Sequence, residues 1–142
     1  MPVYEIKEAE LKHLDFFEKN DPHINKNMII KKIETKEILI MELNNQIIGW
    51  LRFGYFWDVI PFMNMLIFLK EYRNKGYGTL LVRAWEKKLY KAGYKTFFTS
   101  TMANEEAQHF FRNLGYHDIG GFVMPSEPME LIMMKEKTDA LV

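Results

Sequence analysis

One stretch of this chain is an apolar strand that runs into a basic, glycine-bearing turn, and the turn opens a helix. The strand ends in the apolar residues Leu66–Leu69, and apolar residues recur at helical spacing after Gly78. The first N–H groups of a helix lack intrahelical partners, and the helix dipole adds positive charge there, so an anion is stabilised. Gly76 and Gly78 let the backbone approach a ligand, and Arg73 and Lys75 add charge. The stretch therefore predicts a phosphate site.

Spacing excludes two familiar phosphate loops. A P-loop needs Lys and then Ser or Thr directly after its last glycine, whereas Gly78 is followed by Thr79 and Leu80. A dinucleotide-binding turn needs a third glycine at the position that Leu81 occupies. The pattern that remains is Arg-x-x-Gly-x-Gly, which by itself is also compatible with an ordinary solvated turn.

The hydrophobic patterns predict one α/β (α+β) domain with the element order βααβββαβαββ. Asp21 is predicted to cap the second helix, and Pro22 is predicted to occupy the first position of that helix. Pro61 is predicted to interrupt the strands, and Asn104 is predicted to cap the last helix. Asn44-Asn45 is predicted to form a tight antiparallel hairpin turn. The predicted strands are Val3–Ile6, Glu37–Leu43, Gln46–Trp57, Phe62–Leu69, Lys95–Thr101, His117–Phe122 and Met129–Lys135. The predicted helices are Glu8–Lys19, a second helix with Ile24, Met28, Ile29 and Ile33 inward, Gly76 to about Ala92, and Asn104 to Gly115.

This order and three local patterns resemble the GCN5-related N-acetyltransferase (GNAT) family. The turn after Leu66-Ile67-Phe68 is similar to the family's motif A, and Asn45–Trp50 to its hairpin with a glycine. The segment Asn104–Tyr116 is similar to its Asn-x-x-Ala-x-x-x-Tyr helix. The resemblance covers essentially the whole chain and implies a single, strongly twisted mixed sheet of about seven strands that opens where acetyl-coenzyme A enters.

The resemblance also implies which residues hold the cofactor. Backbone groups of the strand would pair with the pantetheine arm, the turn would hold the pyrophosphate, and the Phe68 N–H would donate to the thioester carbonyl oxygen. The implied cofactor-binding residues are Leu66, Ile67, Phe68, Arg73, Asn74, Lys75, Gly76, Tyr77, Gly78, Thr79, Asn104, Ala107 and Phe111. Helical spacing places the last three of these on one face.

The sequence assigns no residue firmly as the catalytic acid or the catalytic base. Phe111 occupies the position of a Tyr that protonates the leaving thiolate in many members of the family, and Phe cannot do this. Tyr116 is a weak candidate for the acid, with core packing as the alternative. Asn64 is the only polar side chain on its strand and at most orients a water, and Asp58 is either an electrostatic helper or a solvated turn residue.

The acceptor end is predicted only as a region. The resemblance points to the junction of the first two helices, near Phe16, Phe17 and His23. The aromatic group Phe53, Tyr55, Phe56 and Trp57 is a second possibility, although core and half-buried packing is the default explanation for it.

Composition excludes several other classes. Lys and Arg equal Asp and Glu at 19 each, which argues against a nucleic-acid partner held by net charge. The absence of cysteine excludes disulfides and thiolate catalysis. The four histidines lack metal-ligand spacing and are expected at the surface, so no metal is predicted. No signal peptide or membrane span is recognised, which predicts a cytoplasmic protein without a membrane partner.

The sequence thus predicts an acetyl-CoA-dependent N-acetyltransferase in which an unidentified amine attacks acetyl-CoA directly in a ternary complex. The alternative is a non-catalytic acyl-CoA-binding sensor or interaction module on the same fold, and a weaker one is another acyl group or an oxygen acceptor. The domain is expected to cover residues 1–137, with residues 138–142 as a short tail and a homodimer as a possible assembly.

Overall fold

The computed structural model describes residues 3–137. Seven strands and four α-helices follow the predicted order, with short 3-10 helices at Leu11–His13 and Lys70–Tyr72. The strands are β1 Tyr4–Glu8, β2 Ile38–Leu43, β3 Gln46–Phe56, β4 Ile60–Phe68, β5 Thr96–Met102, β6 His117–Phe122 and β7 Glu130–Glu136. The helices are α1 Leu14–Asn20, α2 Lys26–Glu34, α3 Tyr77–Lys91 and α4 Ala107–Asn113.

The seven strands form a mixed sheet in the order β1-β2-β3-β4-β5-β7-β6. β4 pairs with β5 in parallel through Phe62 and Phe98, and the pairs β1–β2, β2–β3, β5–β7 and β6–β7 are antiparallel. The predicted fold class is therefore confirmed. None of the helices within residues 3–137 is long and apolar enough to cross a membrane.

The chain divides into two compact units, and β3, β4 and α3 each contribute residues to both. The first unit runs to Phe53 and resumes at Met65–Ala84. Its core gathers apolar side chains of α1, α2, β2 and β3, among them Phe17, Ile29 and Trp50. The second unit comprises Gly54–Asn64 and the chain from Trp85 onward, and its buried aromatic rings include Trp85 and Phe97 with centroids 5.5 Å apart.

The hairpin prediction for Asn44-Asn45 is confirmed. Both residues adopt the left-handed conformation, with φ of 52° and 67°, and β2 and β3 pair on either side of them. A bulge between Met41 and Glu42 leaves Ile48 of β3 without a partner in the register. The bulge moves the following residue, Gly49, opposite Met41.

The predicted start of the second helix was wrong. Asn25 is the N-cap of α2, and its side chain accepts the Met28 N–H at 2.9 Å. Asp21 instead turns into the core and accepts hydrogen bonds from Trp50 and Arg52. A guanidinium and an indole N–H that are both buried depend on this carboxylate, whereas helix amides near the surface have water as an alternative.

Two other predictions about the first two helices were also wrong. The first predicted helix is divided, because residues 11–13 form a 3-10 turn before α1 begins. Met28, predicted to face inward, is 43% exposed, whereas Ile29 and Ile33 are buried as predicted.

Two further boundary predictions were wrong. Pro61 lies buried inside β4 rather than interrupting the strands, and its position next to the strand's start is one where a missing N–H is tolerated. Asn104 does not cap α4, which begins three residues later at Ala107. The intervening turn is closed by the Glu105 carboxylate, which accepts the Met102 N–H at 3.1 Å, and by Gln108, which donates to the Ala103 carbonyl at 2.8 Å.

Candidate functional site

The end of β4 and the start of α3 form the predicted strand, turn and helix within the first unit. After β4 ends at Phe68, a 3-10 turn at Lys70–Tyr72 leads into residues 73–76, and α3 starts at Tyr77. Asn74 and Gly76 adopt left-handed φ values of 59° and 87°. A Cβ on Gly76 would meet no atom within 4 Å, so this glycine is required by its backbone conformation and not by crowding from the protein.

The two cations of the turn have different surroundings. The Arg73 Nε donates a hydrogen bond of 2.8 Å to the Phe68 carbonyl oxygen, so its side chain reaches back to the end of the strand. The Lys75 Nζ lies 6.0 Å above the centre of the Tyr72 ring. Arg73, Asn74, Lys75 and Gly76 are all exposed. The turn thus presents positive charge and left-handed backbone at the N-terminus of a helix of 15 residues, which is a favourable environment for an anion.

Phe68 is fixed by its ring as well as by its carbonyl. The ring stacks on Tyr77 with centroids 6.3 Å apart and planes 19° apart. The ring also lies against Gly49 of β3, where any Cβ would come within 2.6 Å of the Phe68 Cγ. The family resemblance was the reason to notice Gly49 in the sequence, although a glycine inside a strand is itself a signal for close approach of another group.

The peptide group between Phe68 and Leu69 is held from both sides. The Leu69 N–H donates to the Ile48 carbonyl of β3 at 2.8 Å, and the Phe68 carbonyl accepts from Arg73. In an extended strand the N–H and C=O of one residue point to the same edge, and those of the next residue point to the opposite edge. The Phe68 N–H therefore points away from β3, in the direction of its own carbonyl.

The remaining predicted site residues are distributed over both units. Leu66 and Ile67 are half-buried in β4 and belong to the first unit with the turn. Asn64 and Asp58 belong to the second unit, where both are exposed, and Asp58 lies in the turn between β3 and β4 with φ of 63°. The structure therefore assembles the predicted residues 66–79 in one unit and leaves the weak catalytic candidates 58 and 64 in the other.

The α4 residues also belong to the second unit. Ala107 is the exposed first residue of the helix, and Phe111 is buried, with its ring 5.7 Å from that of Tyr116. The expectation that Asn104 shares their helical face was wrong, because Asn104 lies before the helix begins. A role for these three residues in cofactor binding stays a prediction.

Tyr116 is deeply buried and its hydroxyl has a partner. It donates a hydrogen bond of 2.7 Å to Glu86, a fully buried carboxylate that also pairs with Lys135 at 3.0 Å and lies 3.7 Å from Lys137. Burial, followed by the negative charge of Glu86 and the hydrogen bond to it, raises the pKa of Tyr116 far above its usual range. Tyr116 therefore holds its proton strongly, which is unfavourable for a general acid.

Two of the acceptor-end candidates pack on a tryptophan that is bonded to a buried charged pair, and sequence reasoning missed this pair. Phe16 and Phe17 pack edge-on against Trp50, at centroid distances of 5.3 and 5.9 Å. The Trp50 Nε1 donates to Asp21 at 3.0 Å, and Arg52 forms a fork with the same carboxylate at 2.7 and 3.3 Å. A charged residue inside an otherwise apolar strand was the available signal, since a buried guanidinium requires a partner. His23 is exposed.

The second aromatic candidate lies at the β3–β4 turn and divides into buried and exposed parts. Phe53 is buried, whereas Trp57 is 75% exposed and adopts a left-handed φ of 55°. Phe56 packs against Phe62 and Phe98 within the second unit. Most of these aromatic residues are therefore at least half-buried, and Trp57 is the most exposed of them.

The histidine prediction was wrong at one position. His13 is buried, and this burial lowers the pKa of its ring. Its Nδ1 accepts the Glu10 N–H at 2.9 Å. His23, His109 and His117 are exposed. Over residues 3–137, no three His, Asp or Glu side chains come together as a possible metal site.

Solved structures share this fold. Ard1 from Thermoplasma volcanium superposes with a TM-score of 0.83 at 10% identity, over 96% of this chain and 99% of the other. A GNAT-family acetyltransferase from Bacillus cereus gives 0.76 at 22% identity, with the same coverage of both chains. The PaiA N-acetyltransferase from Thermoplasma acidophilum, solved in complex with coenzyme A, gives 0.68 at 16% identity over 95% of this chain and 99% of the other.

Sequence relationships identify the family. The chain is 29% identical over 84 residues to an uncharacterized N-acetyltransferase from Chlorobaculum tepidum; the match covers 59% of this chain and 52%, about half, of that relative. The model of the Acetyltransferase (GNAT) family matches residues 3–116, which include the turn, the Gly49 hairpin and α4. This chain belongs to the GNAT family of acetyltransferases.

Proposed function

We propose that this protein is an acetyl-CoA-dependent N-acetyltransferase that transfers acetyl to an amine by direct attack in a ternary complex. The observation that carries the proposal is the arrangement of residues 66–79, in which a strand edge, an anion-binding turn and a helix N-terminus follow one another. Coenzyme A has the matching parts, since a doubly charged pyrophosphate is joined to an amide-bearing arm that ends in the thioester.

Each part of the donor has a proposed partner. The left-handed turn at Asn74 and Gly76, the α3 N-terminus and the cations Arg73 and Lys75 bind the pyrophosphate. The edge of β4 that faces away from β3 pairs with the amides of the pantetheine arm, as an added strand does. The Phe68 N–H, which points to that edge, donates to the thioester carbonyl oxygen and stabilises the negative charge that develops there.

The chemistry is a direct transfer. The amine nitrogen attacks the thioester carbon, the C–S bond breaks, and the thiolate leaves with the bonding electrons while the nitrogen gives up a proton. A covalent acyl-cysteine intermediate is excluded, because the chain contains no cysteine. Water accepts the proton from the attacking nitrogen and later protonates the thiolate. The thiolate is an acceptable leaving group because the corresponding thiol has a pKa of about 8.5.

A second candidate function is a non-catalytic module that binds acyl-CoA. The specific observation in its favour is that Phe111 occupies the position expected for the acid, while the hydroxyl of nearby Tyr116 is bound to buried Glu86. A lost general acid costs about 10²–10⁴ in rate, which slows an acetyltransferase without abolishing its activity. We therefore place the enzyme first.

Measuring released coenzyme A distinguishes the two functions. Because the protein has no thiol, a thiol reagent detects free coenzyme A without background from the protein. The protein is incubated with acetyl-CoA and a panel of amines that includes polyamines, amino acids and peptide N-termini. Release that depends on one class of amine supports the enzyme, whereas binding of acetyl-CoA with release no faster than hydrolysis for every amine supports the module.

A further inference from the structure

Arg73 connects the two functional ends of the site in the first unit. Its backbone belongs to the turn assigned to the pyrophosphate, and its Nε donates at 2.8 Å to the carbonyl of Phe68, the residue whose N–H is assigned to the thioester. An arginine carries five N–H donors, so the bond from Nε leaves the two terminal amino groups for an anion. The Arg73 side chain is thus able to bind the Phe68 carbonyl and an anion at the turn at the same time.

The peptide group that Arg73 binds is restrained on both sides. The peptide plane between Phe68 and Leu69 receives Arg73 on one side and is bound through the Leu69 N–H to Ile48 of β3 on the other. Rotation of this plane changes ψ of Phe68, one of the two backbone torsions of the residue whose N–H is to meet the substrate. A fixed donor is effective in catalysis because it needs no reorganisation when the charge develops.

From this geometry, and on the basis of the proposed function, we infer that Arg73 is a positioning residue. Through its bond to the Phe68 carbonyl it holds the end of β4 in the orientation that acetyl transfer needs, in addition to any charge it offers the pyrophosphate. A misplacement of about 1 Å costs as much as roughly 100-fold in rate. Arg73 therefore affects turnover even of a donor that has no phosphate.

Two substitutions separate the positioning role from the charge. Gln places its amide nitrogen the same number of bonds from Cα as the Arg Nε, so Arg73→Gln keeps the donor to Phe68 and removes the charge. Arg73→Lys keeps the charge but has only methylene groups where Nε was, and its ammonium lies one atom further out. Lys70→Gln is the matched control, since Lys70 is an exposed cation three residues away with no assigned role.

The experiment compares acetyl-CoA with S-acetylpantetheine, which has the same thioester and arm but no phosphate. With saturating S-acetylpantetheine, we expect Arg73→Lys to lower kcat about 10- to 100-fold, and we expect Arg73→Gln, which keeps a donor for the Phe68 carbonyl, to lower it clearly less than Arg73→Lys does. With acetyl-CoA, Arg73→Gln should raise KM about tenfold or more, because the charged contact is lost. Lys70→Gln should leave kcat for S-acetylpantetheine unchanged.

The inference is overturned if Arg73→Lys turns over S-acetylpantetheine at the wild-type kcat, or if the Gln and Lys variants lose the same amount. A protein with no turnover of either donor contradicts the proposed function instead. In that case, hydrogen exchange of the Leu69 amide decides the inference without activity. Exchange faster in Arg73→Lys than in both wild type and Arg73→Gln supports the positioning role, and equal exchange in all three contradicts it.

Discussion

The Phe68 ring occupies the space that a side chain on Gly49 would fill. An added Cβ would lie within 2.6 Å of Cγ and closer still to two other ring atoms, which is shorter than any normal contact. β3 thus needs a glycine at this place so that the last residue of β4 can pack against it. The relationship fixes Phe68, whose N–H and carbonyl have assigned roles at the donor site.

We expect Gly49→Ala to lower the free energy of unfolding. The Phe68 ring has to move out of a packed position, which costs about 1–3 kcal/mol, whereas Ala in a strand without this clash would be favourable by about 0.5–1 kcal/mol. Urea denaturation measures the change. In a Phe68→Leu background the penalty should shrink, and a double-mutant coupling below about 0.5 kcal/mol would contradict the assigned clash.

Asp21→Ala should be strongly destabilising. The substitution leaves the buried Arg52 guanidinium without its carboxylate and the Trp50 N–H without an acceptor, a loss of about 3–5 kcal/mol. Urea denaturation again gives the value. Asp15→Ala is the control, because Asp15 is exposed and its loss should be within about 0.5 kcal/mol. A change of less than about 1 kcal/mol for Asp21→Ala would mean that the buried pair contributes little.

Tyr116→Phe should reduce stability more than activity. The variant removes the hydroxyl donor from buried Glu86, which is expected to cost about 1–3 kcal/mol. The acetyl-transfer rate should fall by much less than the 10²–10⁴-fold expected for a lost general acid. Both are measured on one preparation, by urea denaturation and by release of coenzyme A. A loss of 10²-fold or more in kcat with unchanged stability would identify Tyr116 as the acid.

Stability should decrease as the pH falls through about 6.5, the ordinary pKa of histidine. Burial lowers the pKa of His13 in the folded protein; the nearby carboxylates Glu42 and Glu10 oppose this effect, and Lys12 and Lys7 add to it. The unfolded chain therefore takes up a proton at a higher pH than the folded protein does. The stability from neutral His13 is present above the unfolded pKa and is lost progressively below it.

Urea denaturation at pH 8 and pH 5.5 tests this effect. His13→Asn supplies an acceptor in place of Nδ1 for the Glu10 N–H and does not titrate, so its stability should depend less on pH in this range than that of wild type. His109→Asn is the matched control, because it makes the same substitution at an exposed histidine. The same pH dependence in wild type and His13→Asn would contradict the assignment.

The parts of the fold that the sequence predicted well have local causes. The Asn44-Asn45 hairpin follows from two residues that tolerate left-handed backbone, and the turn before α3 follows from glycines placed between a strand pattern and a helix pattern. The errors have non-local causes. Asp21 was expected to cap a helix because Pro22 follows it, but its partners Trp50 and Arg52 lie about thirty residues away in the chain.

The same division applies to the candidate site. Residues 66–79 are contiguous, so their pattern is visible in the sequence and their arrangement in the first unit agrees with it. The bond from Arg73 to Phe68 was not predictable, because a motif specifies the type of residue and not the direction of its side chain. The partner of the Tyr116 hydroxyl was also not predictable from the sequence. Glu86 is thirty positions away in α3, and a charged residue in such a helix is normally expected to face solvent.

The turn at 73–79 is proposed to bind the pyrophosphate of coenzyme A through close approach of its backbone. Isothermal titration of acetyl-CoA into wild type and into Gly78→Val measures this binding. Gly78 lies in the first turn of α3, where Val and Gly differ little in helix propensity, so the melting temperature should be nearly unchanged. We expect wild type to bind one acetyl-CoA and Gly78→Val to bind none; equal affinity in both proteins, or no binding to wild type, would mean that this turn does not hold the pyrophosphate.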